Sequence, residues 1–252
     1  MEHRVADPFD GWMTALERRH LARLTFPEVR RALVALSSIY VERRSRIGRG
    51  GAFDGAGKRA AFALFYGPLH FLLVGEIVRA LGAAMPPPSR ILDLGCGTGA
   101  AGAAWSLAAG GSPPIAAIDR HAWAIEEAAW TLRALGLRGH ARRADLERTP
   151  FHGSGEAVLL SFAVNELAPL TRERLLARLL DAARRGARVL VVEPLARRPI
   201  PWWGEWSAAF AGAGGRDDAW RFPATLPDRL RLLDRAAGMD HHELTGRSLW
   251  IA

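Results

Sequence analysis

The sequence predicts an α/β protein whose mostly parallel sheet follows a helical N-terminal extension. After the proline-rich connector at 85–89, apolar runs and helical patterns alternate along the chain. This alternation is typical of parallel strands joined by helices that cover both faces of a sheet. Residues 90–105 carry the second observation: an apolar run, three closely spaced glycines and an alanine-rich segment. That order predicts a strand, a tight turn and a helix, the opening unit of a nucleotide-binding fold.

The predicted strands and helices follow one another at short spacings. Strands are expected near residues 90–94, 115–119, 139–144, 156–161 and 187–193. Helices are expected near residues 99–109, 121–136, 165–184 and 224–237. The tail around Thr245-Gly246-Arg247 predicts two short strands that form a terminal hairpin. The proline- and tryptophan-rich segment after the fifth strand predicts a loop.

The residues before the connector predict a helical part of their own. The chain therefore divides into a helical extension (1–84) and a sheet domain (85–252). Thr25, Pro27 and Glu28 mark the start of a helix in the extension. Threonine caps the helix, proline suits its first turn, and glutamate completes a capping box.

A strongly apolar segment, Ala60–Val74, lies in the next helical run. Gly67-Pro68 is predicted to interrupt that run, with a third helix from about Leu69 to Leu81, because proline lacks a backbone N–H. The segment is then too short to cross a bilayer, which takes roughly 20 residues. The charged N-terminus lacks the apolar region of a signal peptide, so we expect a cytoplasmic protein with no membrane partner.

Basic residues are concentrated near the N-terminus. The formal net charge is +8, and residues 1–60 contribute +5, from twelve Lys and Arg against seven Asp and Glu. A basic surface attracts polyanions, so the N-terminal helices are a candidate RNA-binding face. A solvated helix surface explains the same charges equally well. The residues concerned include Arg30, Arg31, Arg43 and Arg44.

The glycine turn is the candidate ligand site. Glycines at 95, 97 and 99 permit the φ values of a tight turn and a close approach of the backbone to a ligand. Their spacing fits two kinds of ligand, a dinucleotide and S-adenosylmethionine, and Asp93 discriminates between them. Its carboxylate would repel an anionic pyrophosphate and attract the ammonium and sulfonium groups of S-adenosylmethionine (SAM). Cys96, the single cysteine, is interpreted as a small residue beside the ligand rather than a nucleophile, and no metal site is predicted.

Further polar residues lie where predicted strands end, the edge at which open α/β sheets bind ligands. Asp119 ends the second strand, where its carboxylate can accept both hydroxyls of an adenosine ribose. Arg120 follows Asp119, and Ser161 ends the fourth strand. Both are included in the predicted cofactor site.

The segment ILDLGCGTG (91–99) resembles motif I of the class I SAM-dependent methyltransferases, h-h-D-h-G-x-G-x-G, where h is apolar. The resemblance implies a seven-stranded, Rossmann-like sheet, SAM as cofactor and S-adenosylhomocysteine (SAH) as product. It also implies that Asp145 accepts from the adenine amino group, with Leu146 beside the ring. Pro150-Phe151 matches a pair that commonly follows in that family. An NAD-dependent oxidoreductase is the alternative outside the family.

The resemblance places the transferred methyl group near SFAVNEL (161–167), after the fourth strand. Asn165 or Glu166 would orient the attacking atom or accept its proton, whereas a helix cap is the alternative role for Asn165. Candidate substrate-binding residues come from the helical extension and the tryptophan-rich segment, with core packing as the alternative. They are Tyr66, His70, Trp202 and Trp203.

A narrower resemblance covers roughly residues 25–195. The segments FPEVRRALVALSSIYVERR, KRAAFALFYGPLHF, SFAVNEL and VLVVEP are similar to bacterial relatives of the mitochondrial small-ribosomal-subunit methyltransferase-like assembly proteins. Members of that family commonly bear a cysteine cluster, which one cysteine cannot supply. RNA, including ribosomal RNA, is the methyl acceptor this resemblance favours. A small-molecule acceptor and a non-catalytic SAM-binding assembly factor are the other hypotheses, and the oligomeric state stays open.

Overall fold

The computed structural model describes residues 7–42, 53–195 and 200–252. Its seven strands are β1 (Arg90–Leu94), β2 (Ile115–Asp119), β3 (Gly139–Arg143), β4 (Glu156–Ser161), β5 (Arg188–Glu193), β6 (Arg216–Pro223) and β7 (Glu243–Ile251). They form one sheet in the order β3-β2-β1-β4-β5-β7-β6. The strands β1 to β5 run parallel, and β7 pairs antiparallel with both β5 and β6. The predicted seven-stranded Rossmann-like sheet is confirmed.

The helices lie before the sheet and between its strands. They are α1 (Pro8–His20), α2 (Phe26–Glu42), α3 (Ala56–Ala61), α4 (Gly67–Ala80), α5 (Ala100–Ala108), α6 (Ala122–Ala134), α7 (Pro169–Arg184), α8 (Trp203–Gly212) and α9 (Asp228–Ala236). Half of the predicted capping box of α2 is present: Glu28 Oε2 accepts from Thr25 N at 2.7 Å, but the Thr25 hydroxyl donates to the same oxygen, at 2.7 Å, instead of capping the helix as an acceptor.

The five central strands lie where the sequence predicts them, but the last part of the sheet differs. The expected terminal hairpin is wrong: β7 is one nine-residue strand, and its partner β6 went unpredicted. Gly246 lies inside β7 rather than in a turn. A Cβ there would lie 3.0 Å from Leu73 Cδ2, so the glycine permits close packing of α4 on the sheet.

The expected break at Gly67-Pro68 is also wrong. A π-helix (Phe62–Tyr66) joins α3 to α4, so one helical stretch runs from Ala56 to Ala80. Pro68 directly follows the π-helix, in the first turn of α4. At 25 residues this stretch is long and apolar enough to cross a membrane by length and composition, contrary to the expectation from sequence. Most of its apolar window is buried inside the protein, as in a core helix.

The helical extension packs onto the sheet domain rather than standing apart from it. Trp12, Leu16 and Leu33 are fully buried in one cluster with Ile91 and Leu159 of the sheet. The domain boundary at residues 84 and 85 therefore stays a prediction.

A buried carboxylate fixes α1 against the sheet domain. Glu127 of α6 is fully buried and accepts from Arg19 Nε at 3.2 Å, while its other oxygen lies 2.7 Å from His20 Nε2. The carboxylate therefore joins the extension to a helix that borders β2 and β3.

We expect Glu127→Ala to lower the free energy of unfolding by about 2 kcal/mol. The change removes a buried partner and leaves two side chains of α1 without their acceptor, although Arg19 is half-exposed and partly screened. Glu126→Ala, at the exposed neighbouring position, should change stability by less than about 0.5 kcal/mol. Urea unfolding of both variants measures the difference, and equal midpoints would contradict the role of Glu127.

Candidate active site

A cavity of about 940 Å³ lies at the carboxyl ends of β1, β2, β4 and β5. Small-molecule sites occupy roughly 300–1,000 Å³, so this cavity is at the large end of that range. Its walls come from the strand ends, from the π-helix and α4, and from the loop between α9 and β7. All the predicted site residues line it except Gly99, Trp202 and Trp203.

The glycine turn passes very close to the loop that follows β4. Gly95 has φ +70°, and a Cβ on it would lie 2.7 Å from the Cβ of Ala163. The N–H groups of Gly95 and Cys96 donate to Ile118 O at 2.8 and 3.0 Å, which ties the turn to β2. Gly99 caps α5 and faces Ala128 rather than the cavity. Burial raises the pKa of the Cys96 thiol well above its usual range, so the thiol is neutral.

Asp93 lies buried beneath the first turn of α5. Its Oδ2 accepts from Gly102 N at 3.1 Å, and a Cβ at Gly102 would lie 2.7 Å from that oxygen. Sequence reasoning missed Gly102, although a glycine inside an alanine-rich helix was its signal. Burial raises the pKa of Asp93 to about 7, the Gly102 N–H lowers it, and the charge of Asp119 raises it.

Three buried polar atoms among the lining residues have no hydrogen-bond partner in the described part of the chain. They are Asp93 Oδ1, His121 Nδ1 and Ser161 Oγ. Unsatisfied buried polar groups cost free energy, so their clustering at one cavity indicates a polar ligand. An acceptor carboxylate oxygen among them suits a cationic group such as the ammonium of SAM.

Backbone donors fix the acids that end β2 and follow β3. Asp119 accepts from Gly97 N at 3.0 Å and from His121 N at 2.8 Å. Each carboxylate oxygen can accept more than one hydrogen bond, so Asp119 keeps capacity for ribose hydroxyls. Asp145 Oδ1 accepts from Glu147 N at 2.9 Å, which begins a short 3₁₀ turn carrying Leu146.

A second buried carboxylate organises the loop after β4. Glu193, at the end of β5, accepts from Val164 N at 3.1 Å, Asn165 N at 3.3 Å and Asn165 Nδ2 at 2.6 Å. Burial raises the pKa of Glu193 to about 8, and these donors lower it. Trp202 Nε1 donates to Asn165 Oδ1 at 2.9 Å, so the Asn165 amide is occupied at both ends. Asn165 therefore fixes the loop, and the next helix begins later, at Pro169.

Glu166 faces the cavity from the same loop. Burial raises its pKa to about 7, while the Arg120 guanidinium lowers it and the charge of Asp119 raises it. The two groups that shift its pKa lie at the end of β2, next to the predicted ribose site. Glu166 can therefore change protonation state near neutral pH.

The helical extension supplies an aromatic wall. His70 stacks on Phe162 with ring centroids 3.9 Å apart and planes 16° apart. Phe162 has φ +58°, an uncommon value for a bulky residue, and holds its ring against the extension. Burial lowers the pKa of His70 to about 3, so its ring is neutral. The Tyr66 hydroxyl lies 3.2 Å from Ser37 Oγ of α2.

The tryptophans predicted to bind substrate lie elsewhere. Residues 196–199 of the segment lie outside the described part of the chain, whereas α8 begins at Trp203 and overturns the expected loop there. Trp202, Trp203 and Trp206 are buried in the core against the sheet. Trp203 Nε1 donates to Asp217 of β6 at 2.7 Å. The spacing of the buried residues from Trp203 to Phe210 is helical, and this pattern outweighs the preceding prolines. The structure thus does not support a substrate contact for Trp202 or Trp203.

The loop between α9 and β7 also lines the cavity, and no sequence motif indicated it. It contributes Met239 and His241, followed by Leu244 and Thr245 of β7. These residues are far along the chain from the glycine turn, so only the antiparallel pairing of β7 with β5 brings them to the site.

Acidic side chains outnumber basic ones in the lining. Among its described residues six carry a carboxyl group and two are arginines: Asp93, Asp119, Asp145, Glu147, Glu166, Glu193, Arg120 and Arg143. Within the described residues, no cluster of three or more His, Cys, Asp or Glu side chains is suited to hold a metal ion. Such a site favours a cationic ligand over a phosphate-bearing one.

A comparison with protein families gives a match to part of the chain. Residues 91–186 match the family model described as a methyltransferase domain. No curated protein matches the sequence significantly. The narrower likeness to ribosomal assembly proteins found no support in these comparisons.

Solved structures share the fold at low identity. The mitomycin 7-O-methyltransferase MmcR superposes with a TM-score of 0.53 at 16% identity, over 98% of this chain and 74% of that one. A protein of Nostoc punctiforme PCC 73102 assigned as an O-methyltransferase superposes with a TM-score of 0.54 at 15% identity, over 99% of this chain and 73% of that one. The SAM-dependent methyltransferase SibL superposes with a TM-score of 0.50 at 17% identity, over 94% of this chain and 73% of that one. Residues 91–186 therefore match a methyltransferase domain, and the chain as a whole shares the fold of these solved methyltransferases.

Proposed function

We propose that this protein is a methyltransferase that binds SAM in the acidic part of the cavity and methylates a small molecule in the aromatic part. The observation that carries the proposal is the acidic composition of the lining, where six side chains carry a carboxyl group and two are arginines. A cationic cofactor balances that charge, whereas the phosphates of RNA would add to it. The solved methyltransferases that share the fold include one named for a small molecule, mitomycin, which agrees with this choice.

Different residues of the lining would bind the cofactor and the methyl acceptor. Asp93 and the 95–97 turn would hold the methionine part, Asp119 the ribose, and Asp145 with Leu146 the adenine. Arg120 and Ser161 complete that half. Bound SAM would supply a methyl group on a cationic sulfur, which an attacking atom displaces in line.

The acceptor would enter against Tyr66, His70 and Phe162. The aromatic wall excludes water, and the Glu193–Asn165 network keeps the loop after β4 in one conformation. Glu166, with a pKa near 7, would adjust the charge of the cavity between its two halves.

RNA methylation is the competing candidate, favoured by the basic N-terminal residues. Arg30 and Arg31 are exposed on α2 and do not line the cavity, and Arg43 and Arg44 lie outside the described residues. A SAM-binding factor without turnover is the third hypothesis.

Calorimetry with SAM and with NAD tests the cofactor. We expect SAM and SAH to bind and NAD not to bind. Asp119→Asn should weaken SAM binding by roughly 10- to 100-fold, because hydrogen bonds to a charged group are worth about 1.5–3 kcal/mol. Asp181→Asn, an exposed acid on α7 away from the cavity, is the matched control and should bind SAM normally. Binding of NAD without SAM would overturn the proposal.

The affinity for SAM should depend on pH through Asp93. A cation beside this buried carboxyl favours its ionised form and lowers its pKa from about 7, so SAM binds more tightly above pH 7 than below it. We expect up to about a tenfold loss of affinity from about pH 8 to pH 6. Asp93→Asn should remove this dependence and Glu166→Gln should keep it. An unchanged pH dependence in Asp93→Asn would show that another group is responsible.

Radiolabelled SAM distinguishes the acceptors. We expect methyl label to enter the ultrafiltered small-molecule fraction of a bacterial extract and not its purified RNA. Label in RNA that falls when Arg30 and Arg31 are both changed to Gln would favour the RNA hypothesis instead. Tight SAM binding with no label in either fraction would favour the non-catalytic factor.

A further inference from the structure

A histidine–aspartate pair lies at the cavity, outside the segment that matches the methyltransferase model. Asp234 of α9 is 1% exposed, and both of its carboxylate oxygens contact His241. Oδ2 accepts from His241 N at 2.7 Å, and Oδ1 contacts the ring nitrogen Nδ1. The side chain of His241 is about one-third exposed and lines the cavity.

This contact determines the tautomer of the ring. An ionised carboxylate can only accept hydrogen bonds, so Nδ1 of His241 carries a proton and donates it. In the neutral ring Nε2 is then an acceptor, and it is the nitrogen left for the cavity. The second contact, from His241 N to Asp234 Oδ2, holds the backbone of the loop against the same carboxylate.

The pair belongs to the acceptor half of the cavity. The loop that carries His241 joins α9, which packs against the π-helix, to β7, which pairs with β5. Met239, Leu244 and Thr245 line the cavity beside it. None of the residues assigned to SAM comes from this loop.

We propose that His241, held by Asp234, is the general base that removes the proton of an aromatic hydroxyl group as that oxygen attacks the methyl group. The assignment rests on the proposed methyltransferase function and names its acceptor class, a phenol. The O–H bond breaks and the proton passes to His241 Nε2. The oxygen forms the new C–O bond, the S–CH₃ bond breaks, and its electron pair remains on sulfur as SAH forms. The proton then leaves His241 for solvent.

The other candidate bases fit this step less well. His70 is stacked on Phe162, and its burial favours the neutral ring so strongly that it would release a proton rather than hold one. The charge of Glu166 is coupled to Asp119 and Arg120, on the cofactor side. Asn165 cannot accept a proton and is bonded to Glu193 and Trp202. An amine acceptor, which attacks through a lone pair after losing its proton to water, would not require the pair.

A chromogenic phenol tests the proposal without turnover. The SAH complex of the protein is mixed with 4-nitrophenol or 4-nitrocatechol, whose ionised forms absorb visible light. The measurement is made about one unit below the pKa of the phenol, where roughly a tenth of the free compound is ionised. We expect at least about a fivefold larger ionised fraction for the bound phenol in the wild-type protein.

Variants of the pair give the decisive comparison. His241→Gln and Asp234→Asn should bind SAH normally and bind the phenol, but its ionised fraction should fall to the value in free solution. His242→Gln is the matched control, because the adjacent His242 is 83% exposed, pairs with the exposed Asp240 and does not line the cavity. It should behave as wild type.

The outcomes separate the two proposals. Failure of the wild-type protein to bind SAH would overturn the methyltransferase function itself. SAH binding with no binding of either phenol, or with a bound phenol that stays neutral, would overturn the acceptor class and the base together. A bound phenol that is ionised equally in His241→Gln would overturn the role of His241. Loss of ionisation in Glu166→Gln alone would assign the base to Glu166 instead.

Discussion

The structure depends on holding several carboxylates in one cavity with few cations to balance them. Asp93 and Glu193 are each 1% exposed, and burial raises the pKa of both. Backbone N–H groups of Gly102, Val164 and Asn165 offset part of the cost, but like charges nearby still disfavour ionisation. A cation bound beside these carboxyl groups would offset the repulsion between them and favour their ionised forms. Charge, more than glycine spacing, therefore distinguishes a SAM site from a dinucleotide site.

The helical extension covers the carboxyl ends of the strands, where these acidic residues lie, and so forms one wall of the cavity. The stretch Ala56–Ala80 is apolar around much of its circumference because it packs against the sheet domain on one side and other helices of the extension on the other. The π-helix within it widens one turn and brings Phe62 and Tyr66 to the cavity, a common use of such turns. Glu127 holds α1 in place behind this wall. The same helical stretch therefore contributes to the core and determines the shape of the cavity on this side.

The parts of the fold that the sequence predicted are those fixed by neighbouring residues. Each of β1 to β5 ends beside turn residues, and Asp93, Asp119 and Asp145 were recognisable from their position at strand ends. The missed parts depend on distant partners. The sequence around Gly246 predicts a turn, but the glycine is required by the close packing of Leu73 on β7. The helical spacing after Trp203 follows several prolines, which favour a loop. No local pattern could bring His241 to the cavity, because the loop before β7 is placed there by the pairing of β7 with β5.

The family match bears on the proposed cofactor site and not on the acceptor, because the two lie in different parts of the chain. The matched segment, 91–186, contains the strand ends and the turn that would hold SAM. Apart from Phe162, the walls proposed for the acceptor come from before and after it, in the π-helix and α4 and in the loop between α9 and β7. Those two segments can change without disturbing a single assigned cofactor residue. Acceptor chemistry must therefore be argued from their own contacts, and the contact that bears most directly on it is that of Asp234 with His241.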